Sequence, residues 1–130
     1  VFSGMKAPRG FFTNIKRHGA LLAKGRMLGI QFETLFADGL YLEISSRAIR
    51  LAMKLKDCFR RRSIPLATDS PTNQQFVILS EAQQRSLSKD FAFEIWEKRP
   101  DGALMCRFVT SWATSESEID ALDAALERLG

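Results

Sequence analysis

An amphipathic segment in the first half of the chain constrains the fold more than any other feature. Between Asp38-Gly39 and Pro65, which both interrupt regular structure, apolar residues recur at the spacing of one helical face. This stripe consists of Tyr41, Ile44, Ala48, Leu51, Leu55, Cys58 and Phe59. The pattern predicts a helix over about residues 40–61, and its apolar face must be covered by other elements of the same fold.

A second helical pattern precedes this segment, over about residues 11–36. Its glycines Gly19, Gly25 and Gly29 each weaken a helix by roughly 1 kcal/mol relative to alanine. Glycines on a helix also let another backbone or a ligand approach closely. We predict one long helix here, joined to the next by the short Asp38-Gly39 turn as a helical hairpin.

The second half of the chain carries strand patterns. Short β-rich or alternating runs predict strands over Gln75–Leu79, Phe91–Trp96 and Leu104–Val109. The turn sequence Arg99–Gly102 joins the last two strands into a hairpin. A two-residue loop at Pro100-Asp101 would place Ile95 opposite Cys106.

Two capping boxes predict where further helices begin. Ser80 with Gln83 starts a short helix through about residue 89, and Ser115 with Glu118 starts a final helix that ends at Gly130. The predicted order is therefore α-α-β-α-β-β-α. This order is typical of an α+β fold, a two-layer small domain with a three-stranded, mainly antiparallel sheet.

The predicted hairpin has two unequal faces. One is fully apolar and should pack on the helices. The other carries Glu94, Trp96, Met105, Arg107 and Val109, too many large apolar groups for a plainly solvated surface. We expect this face either to contact something outside the chain or to be partly covered by the N-terminal segment.

Composition fits one soluble globular domain of 130 residues, 45% apolar and 26% charged. The net charge of +4 raises the question of phosphate or nucleic-acid binding. The basic triplet Arg60–Arg62 either binds phosphate or closes a helix, where cations meet the macrodipole favourably. Because no recognition-helix or RNP-like pattern occurs, we expect no nucleic-acid partner.

Other classes of site and location are also disfavoured. No apolar run approaches the ~18–20 residues that span a bilayer, so we expect no membrane partner. Cys58 and Cys106 lie in apolar segments and are predicted to be buried, reduced thiols of a cytoplasmic protein. A single histidine and the absence of a CxxC pair argue against a metal site.

Three basic residues are the candidates for binding chemistry. Arg107 lies between apolar residues on a strand, and either pairs with Glu94 across the hairpin or captures a substrate carboxylate. Lys24 and Arg26 flank Gly25 and are either surface cations or an anion site, plausibly for phosphate. No nucleophile elbow, paired-carboxylate motif, P-loop or dinucleotide fingerprint occurs, so no catalytic residue is assigned.

Three stretches of sequence carry a family resemblance. They are IKRHGALLAKGRMLGIQFETLFADGLYLEISSRA, SPTNQQFVIL and RFVTSWATSESEIDAL. In this order and spacing they resemble the C-terminal third of the threonine aldolases and aromatic amino-acid β-eliminating lyases. These are enzymes of fold type I, the aspartate aminotransferase fold, that use pyridoxal 5′-phosphate.

The resemblance implies specific roles. Arg107 matches the arginine that contacts the substrate carboxylate, and Arg26, with Lys24 beside it, matches a segment that approaches the cofactor phosphate of a neighbouring subunit. The Schiff-base lysine would lie upstream in a large cofactor-binding domain, so this segment alone would be inactive. The full enzyme would cleave an amino acid by carbon–carbon cleavage or β-elimination, as a homo-oligomer, either a dimer or a tetramer.

The resemblance also implies domain boundaries. Residues 1–10 would be the end of a large-domain strand and a linker, with Val1-Phe2 ending that strand, and residues 11–130 would be the C-terminal small domain. The alternative is a non-catalytic interaction domain or an isolated fragment without activity.

Overall fold

The computed structural model describes residues 6–129. Two compact units divide the chain at residue 40, and they are described separately. The N-terminal unit comprises residues 6–40 and the C-terminal unit residues 41–129. The sequence-based interpretation of Val1-Phe2 as a strand end lies outside the described residues.

The N-terminal unit contains two helices where the sequence predicted one. Helix α1 spans Phe11–Arg17 and helix α2 spans Gly25–Phe36, followed by a 3₁₀ turn over Ala37–Gly39. The prediction of a continuous helix was wrong because Gly19 adopts a left-handed conformation, with φ of 65°. This conformation ends a helix and is readily adopted only by glycine.

Helix α3 confirms the amphipathic segment and spans Leu40–Arg61. It begins directly after Asp38 and Gly39, whose φ values of 50° and 76° form the sharp turn that the sequence indicated. The predicted stripe is buried from Ala48 onward, through Leu51, Leu55, Cys58 and Phe59. This face therefore forms one side of the core of the C-terminal unit.

Three antiparallel strands form the sheet of the C-terminal unit. They are β1 (Gln74–Leu79), β2 (Glu94–Lys98) and β3 (Leu104–Val109), in the order β1-β3-β2. Helix α4 (Glu81–Leu87) and helix α5 (Glu116–Glu127) both begin with the predicted capping boxes. The predicted α+β fold is confirmed, with β3 as the central strand.

The hairpin has the predicted register but a longer loop and a bulge that were not predicted. Ile95 pairs with Cys106, as expected, but near the turn Lys98 pairs with Leu104, and the backbone N–H of Arg99 donates to the Ala103 carbonyl. The loop thus has three residues, Pro100–Gly102, rather than two. A β-bulge at Trp96 absorbs the extra residue and restores the register.

Strand β2 also begins later than predicted, at Glu94 rather than Phe91. The backbone N–H of Phe91 donates to the Leu87 carbonyl at 2.9 Å, so this donor serves the end of α4 instead of a strand ladder. Phe93 still packs on the core, with its ring stacked on Phe108 at 4.5 Å between centroids.

The core lies between the helices and one face of the sheet. Alternate strand residues point into it, among them Val77, Leu79, Cys106 and Phe108, against Leu51, Phe59, Ile119 and Leu122 of the helices. Cys58 and Cys106 are buried free thiols, as predicted. Burial raises the pKa of both thiols, so they stay protonated and behave as small apolar side chains.

Candidate functional site

Arg107 lies in the middle of the central strand, on the sheet face away from the core. Its strand neighbours Cys106 and Phe108 are buried, and alternation along a strand therefore directs Arg107 to the other face. Its side chain is 22% exposed. Covering a guanidinium costs free energy unless anionic or polar groups pair with it.

Two side chains and one ring surround this guanidinium. Nη2 donates to Oε2 of Glu94, and Nη1 donates to Oε1 of Gln74 at 3.2 Å. The ring of Trp96 covers one face of the guanidinium, with 4.6 Å between its centroid and the guanidinium carbon. The cross-strand pairing of Arg107 with Glu94, one of the two roles weighed from the sequence, is therefore present.

A shallow cavity opens beside Arg107. Its volume is about 290 Å³, and it is lined by Ala92, Phe93, Glu94, Arg107 and Val109. A planar guanidinium at the wall of a cavity can bind a carboxylate through two parallel hydrogen bonds. The geometry therefore allows the second role, provided that one partner of Arg107 makes way.

Two of the stretches that carried the resemblance meet in space at this site. The side chain of Asn73 donates to the Thr110 carbonyl at 2.8 Å, one strand position from the contact of Gln74 with Arg107. The Thr110 hydroxyl donates to the Ala48 carbonyl at 2.7 Å, which ties the end of β3 to α3. SPTNQQF and RFVTSWAT therefore form one structure, adjacent strands β1 and β3.

Gln74 is the site residue that sequence reasoning missed. Its contact depends on the pairing of β1 with β3, two strands far apart in the chain, in which Gln74 is opposite Val109 and Phe76 is opposite Arg107. A hairpin loop sets the register of β2 with β3, but no loop sets that of β1 with β3. The available signal was the pair of polar residues, Gln74 and Gln75, at the start of an otherwise apolar strand.

The remaining part of this sheet face is mixed, as predicted. Trp96 and Val109 are about half exposed, and the Trp96 ring contacts Phe76 edge to face at 5.7 Å. Trp112, just beyond β3, is 69% exposed and is therefore not a core residue of the C-terminal unit. Of these rings, Trp96 contacts Arg107 and makes the surface beside it partly apolar.

Lys24 and Arg26 lie at the start of a helix rather than in its middle. Lys24 is the N-cap residue of α2, and Arg26 is the second residue of the helix. The first turn contains no acidic residue, and no side chain caps it. Both cations are exposed and form no ion pair with another residue of the described chain.

This placement brings two positive side chains to the positive end of a helix dipole. The first amides of a helix lack intrahelical acceptors, and anions bind there readily. The arrangement in the N-terminal unit is therefore suited to an anion such as phosphate. The sequence pattern missed the helix start because Gly19 was not recognised as a helix end.

The basic triplet has a structural role. Arg60 contacts Asp57 and Asp69, while Arg61 and Arg62 both contact Asp123 and Arg62 also reaches Glu127. Burial acts to raise the pKa of Asp123, but hydrogen bonds from Arg61 and Arg62 outweigh it and lower that pKa below its usual value. These arginines join α3 to α5 and to the loop before β1.

Two classes of feature are absent from residues 6–129. No cluster of three or more histidine, cysteine, aspartate or glutamate side chains there has the arrangement of a metal site. No helix in that range has both the length and the apolar character needed to cross a membrane.

Comparison with known proteins gives a structural match over almost the whole chain. The threonine aldolase of Leishmania major matches 94% of this chain with a TM-score of 0.85 and 38% sequence identity. The serine palmitoyltransferase of Sphingomonas wittichii matches 65% of the chain with a TM-score of 0.54 and 17% identity, which shows a similar fold only. No protein-family model and no curated protein sequence matches.

The resemblance inferred from the three sequence stretches is confirmed by these matches. The chain spans 36% of the length of the Leishmania enzyme and 24% of the length of the palmitoyltransferase. It therefore corresponds to one part of each of these proteins.

Proposed function

We propose that this chain, which belongs with the threonine aldolase family of fold-type-I enzymes, is one domain of a pyridoxal-phosphate-dependent amino-acid lyase. The proposal rests on the position of Arg107 at the wall of a cavity. The chain that contains it is 38% identical in sequence to a threonine aldolase. The family that the three sequence stretches resemble uses pyridoxal 5′-phosphate, and the 38% identity to a threonine aldolase supports the same cofactor for the full protein.

Arg107 binds and orients the substrate through its α-carboxylate. The rigid fork of the guanidinium fixes both the position and the rotation of a carboxylate, whereas a lysine would fix only its position. Gln74 and Trp96 hold the fork from one edge and one face. A fixed carboxylate restricts rotation about the bond to Cα, and this restriction decides which substituent of Cα is presented for cleavage.

The cofactor, when bound, accepts the electrons of the bond that breaks. Lys24 and Arg26 suit its phosphate, because they place two cations at the positive end of the α2 dipole with no acidic residue in the first turn. We propose that these residues hold the phosphate and thereby set the position of the cofactor.

Other parts of the enzyme lie outside this chain in our proposal. They are a large domain with the Schiff-base lysine and at least one further copy of the protein, so the isolated chain is inactive. Exposed apolar side chains on α2, including Met27, Leu28, Ile30 and Phe32, support burial of this helix against such a partner. The two free thiols support a cytoplasmic location.

The test of substrate binding uses the full-length enzyme with L-threonine. Arg107→Ala should raise KM by at least roughly 10- to 100-fold, because each of its two charged hydrogen bonds to the carboxylate contributes about 1.5–3 kcal/mol. Arg99→Ala is the matched control, since Arg99 is an exposed hairpin arginine whose side chain pairs with Asp101. An unchanged KM for Arg107→Ala would refute the role.

The cofactor role has a separate test that requires no turnover. Arg26→Ala in the full-length enzyme should weaken retention of pyridoxal phosphate, measured as bound cofactor after dialysis. Arg17→Ala, at the C-terminal end of α1, removes the same charge from the same unit and should retain cofactor normally. Equal retention by the two variants would exclude Arg26 from the phosphate site.

A further inference from the structure

Both terminal nitrogens of the Arg107 guanidinium already donate to side chains in this structure. Nη2 donates to Glu94 and Nη1 to Gln74, while Nε is buried and has no hydrogen-bond partner within the described residues. A carboxylate that binds through two parallel hydrogen bonds needs two neighbouring N–H groups of the fork. It can obtain them only if Glu94 or Gln74 leaves.

Of the two partners, Glu94 is the one that can be exchanged. It presents a carboxylate, the same chemical group as an amino-acid substrate, so replacing it with a substrate conserves the charge around Arg107. Gln74 is neutral and projects from β1, which is paired to the central strand along its length. If a substrate carboxylate replaced Gln74, the site would gain one negative charge.

The position of Glu94 also favours its movement. It is the first residue of the edge strand β2, its side chain is 63% exposed, and it lines the cavity beside Arg107. The two residues before it, Ala92 and Phe93, lie outside the regular strand. Glu94 is the more exposed partner of the pair, so its carboxylate can rotate into water while an incoming carboxylate takes its place beside Arg107.

We propose that Glu94 is an internal carboxylate that occupies Arg107 in the empty enzyme and is displaced by the carboxylate of the substrate. This inference rests on the proposed function of Arg107. Glu94 compensates the charge of Arg107 until a substrate arrives. It also makes binding competitive, so that an incoming ligand must supply a carboxylate of its own.

The direction in which KM changes when Glu94 is removed distinguishes a displaced competitor from a residue that only positions Arg107. A displaced competitor opposes binding, so its removal should tighten binding of the substrate. A residue that only positions Arg107 aids binding, so its removal should weaken it. In full-length enzyme assayed with L-threonine, Glu94→Gln and Glu94→Ala should each lower KM by about two- to fivefold.

Glu97→Gln provides the matched control. Glu97 lies on the same strand and the same sheet face, opposite Met105, and its loss changes the net charge by the same amount. Its KM should stay within the error of the wild type. If Glu97→Gln lowers KM as much as Glu94→Gln, the effect is due to net charge and the proposal is overturned.

The outcomes also separate this inference from the proposed function. If Arg107→Ala raises KM and both Glu94 variants lower it, displacement is supported. If Arg107→Ala raises KM and the Glu94 variants raise it or leave it unchanged, displacement is overturned and the role of Arg107 stands. If Arg107→Ala leaves KM unchanged, the proposed function of Arg107 itself fails.

Discussion

The ring of Phe59 in α3 meets the ring of Phe108 in β3 edge to face, with 5.0 Å between their centroids. Phe108 follows Arg107 in the strand, so this contact fixes the core side of the strand whose outer side carries the candidate site. Phe59 has no exposed surface. The position of Arg107 therefore depends on packing on the opposite face of the sheet.

Phe59→Ala should lower the free energy of unfolding of the chain by about 3–5 kcal/mol, because it leaves a cavity that the surrounding helices and strands cannot fill. Urea denaturation measures this loss. Phe12→Ala, at a 63% exposed position in α1, removes the same atoms and should change stability by no more than about 0.5 kcal/mol. Equal losses in the two variants would contradict this account of the core.

Trp96→Ala should raise KM of the full-length enzyme by about two- to fivefold, since the contact of its ring with Arg107 is worth roughly 0.5–1 kcal/mol. Steady-state kinetics with L-threonine measures the change. Trp112→Ala is the control, because Trp112 is an exposed tryptophan beyond the end of the same sheet. The contact has no role in binding if the two variants behave alike.

Ser115→Ala should destabilise the chain by about 1 kcal/mol, because the Ser115 hydroxyl accepts the N–H of Glu118 at the start of α5. Ser115→Asp should restore most of the loss, since its carboxylate can accept the same N–H. Thermal unfolding of the three proteins tests the cap. A Ser115→Asp variant no more stable than Ser115→Ala would show that the cap is not the cause.

The free energy of unfolding should decrease at acidic pH. The pKa of Asp123 is lowered by Arg61 and Arg62 against the opposing effect of burial, and Lys56 lowers the pKa of Asp69. A lowered folded-state pKa means that the stabilisation is present above the unfolded-state pKa of about 3.9 and is lost as pH falls through the folded-state value.

The midpoint of thermal unfolding should therefore change little between about pH 7 and pH 5, and fall below about pH 4. Asp123→Asn should lower the midpoint at neutral pH and reduce the slope of the acid decline, because one of the titrating groups is gone. A wild-type midpoint that rises as pH falls below 4 would contradict the sign of these shifts.

Local sequence patterns determined helices α3, α4 and α5 and the pairing partners in the hairpin, but not the helix break at Gly19 or the length of the hairpin loop. The stripe of α3, the capping boxes of α4 and α5, and the pairing of Ile95 with Cys106 all follow from interactions between residues close together in the chain. The same reasoning placed Glu94 opposite Arg107. Periodicity and turn chemistry act within a few residues, so a single sequence contains enough information to predict them.

The tertiary structure decided what depends on distant residues or on backbone conformation. The left-handed conformation of Gly19 ends α1, so that Arg26 lies at the start of a second helix. The hairpin loop is one residue longer than predicted, and the bulge at Trp96 restores the pairing of the two strands. The tertiary structure also brought Gln74 to Arg107 by pairing strands some thirty positions apart. Such pairing is selected by burial of the whole sheet face against the helices, which no local pattern specifies.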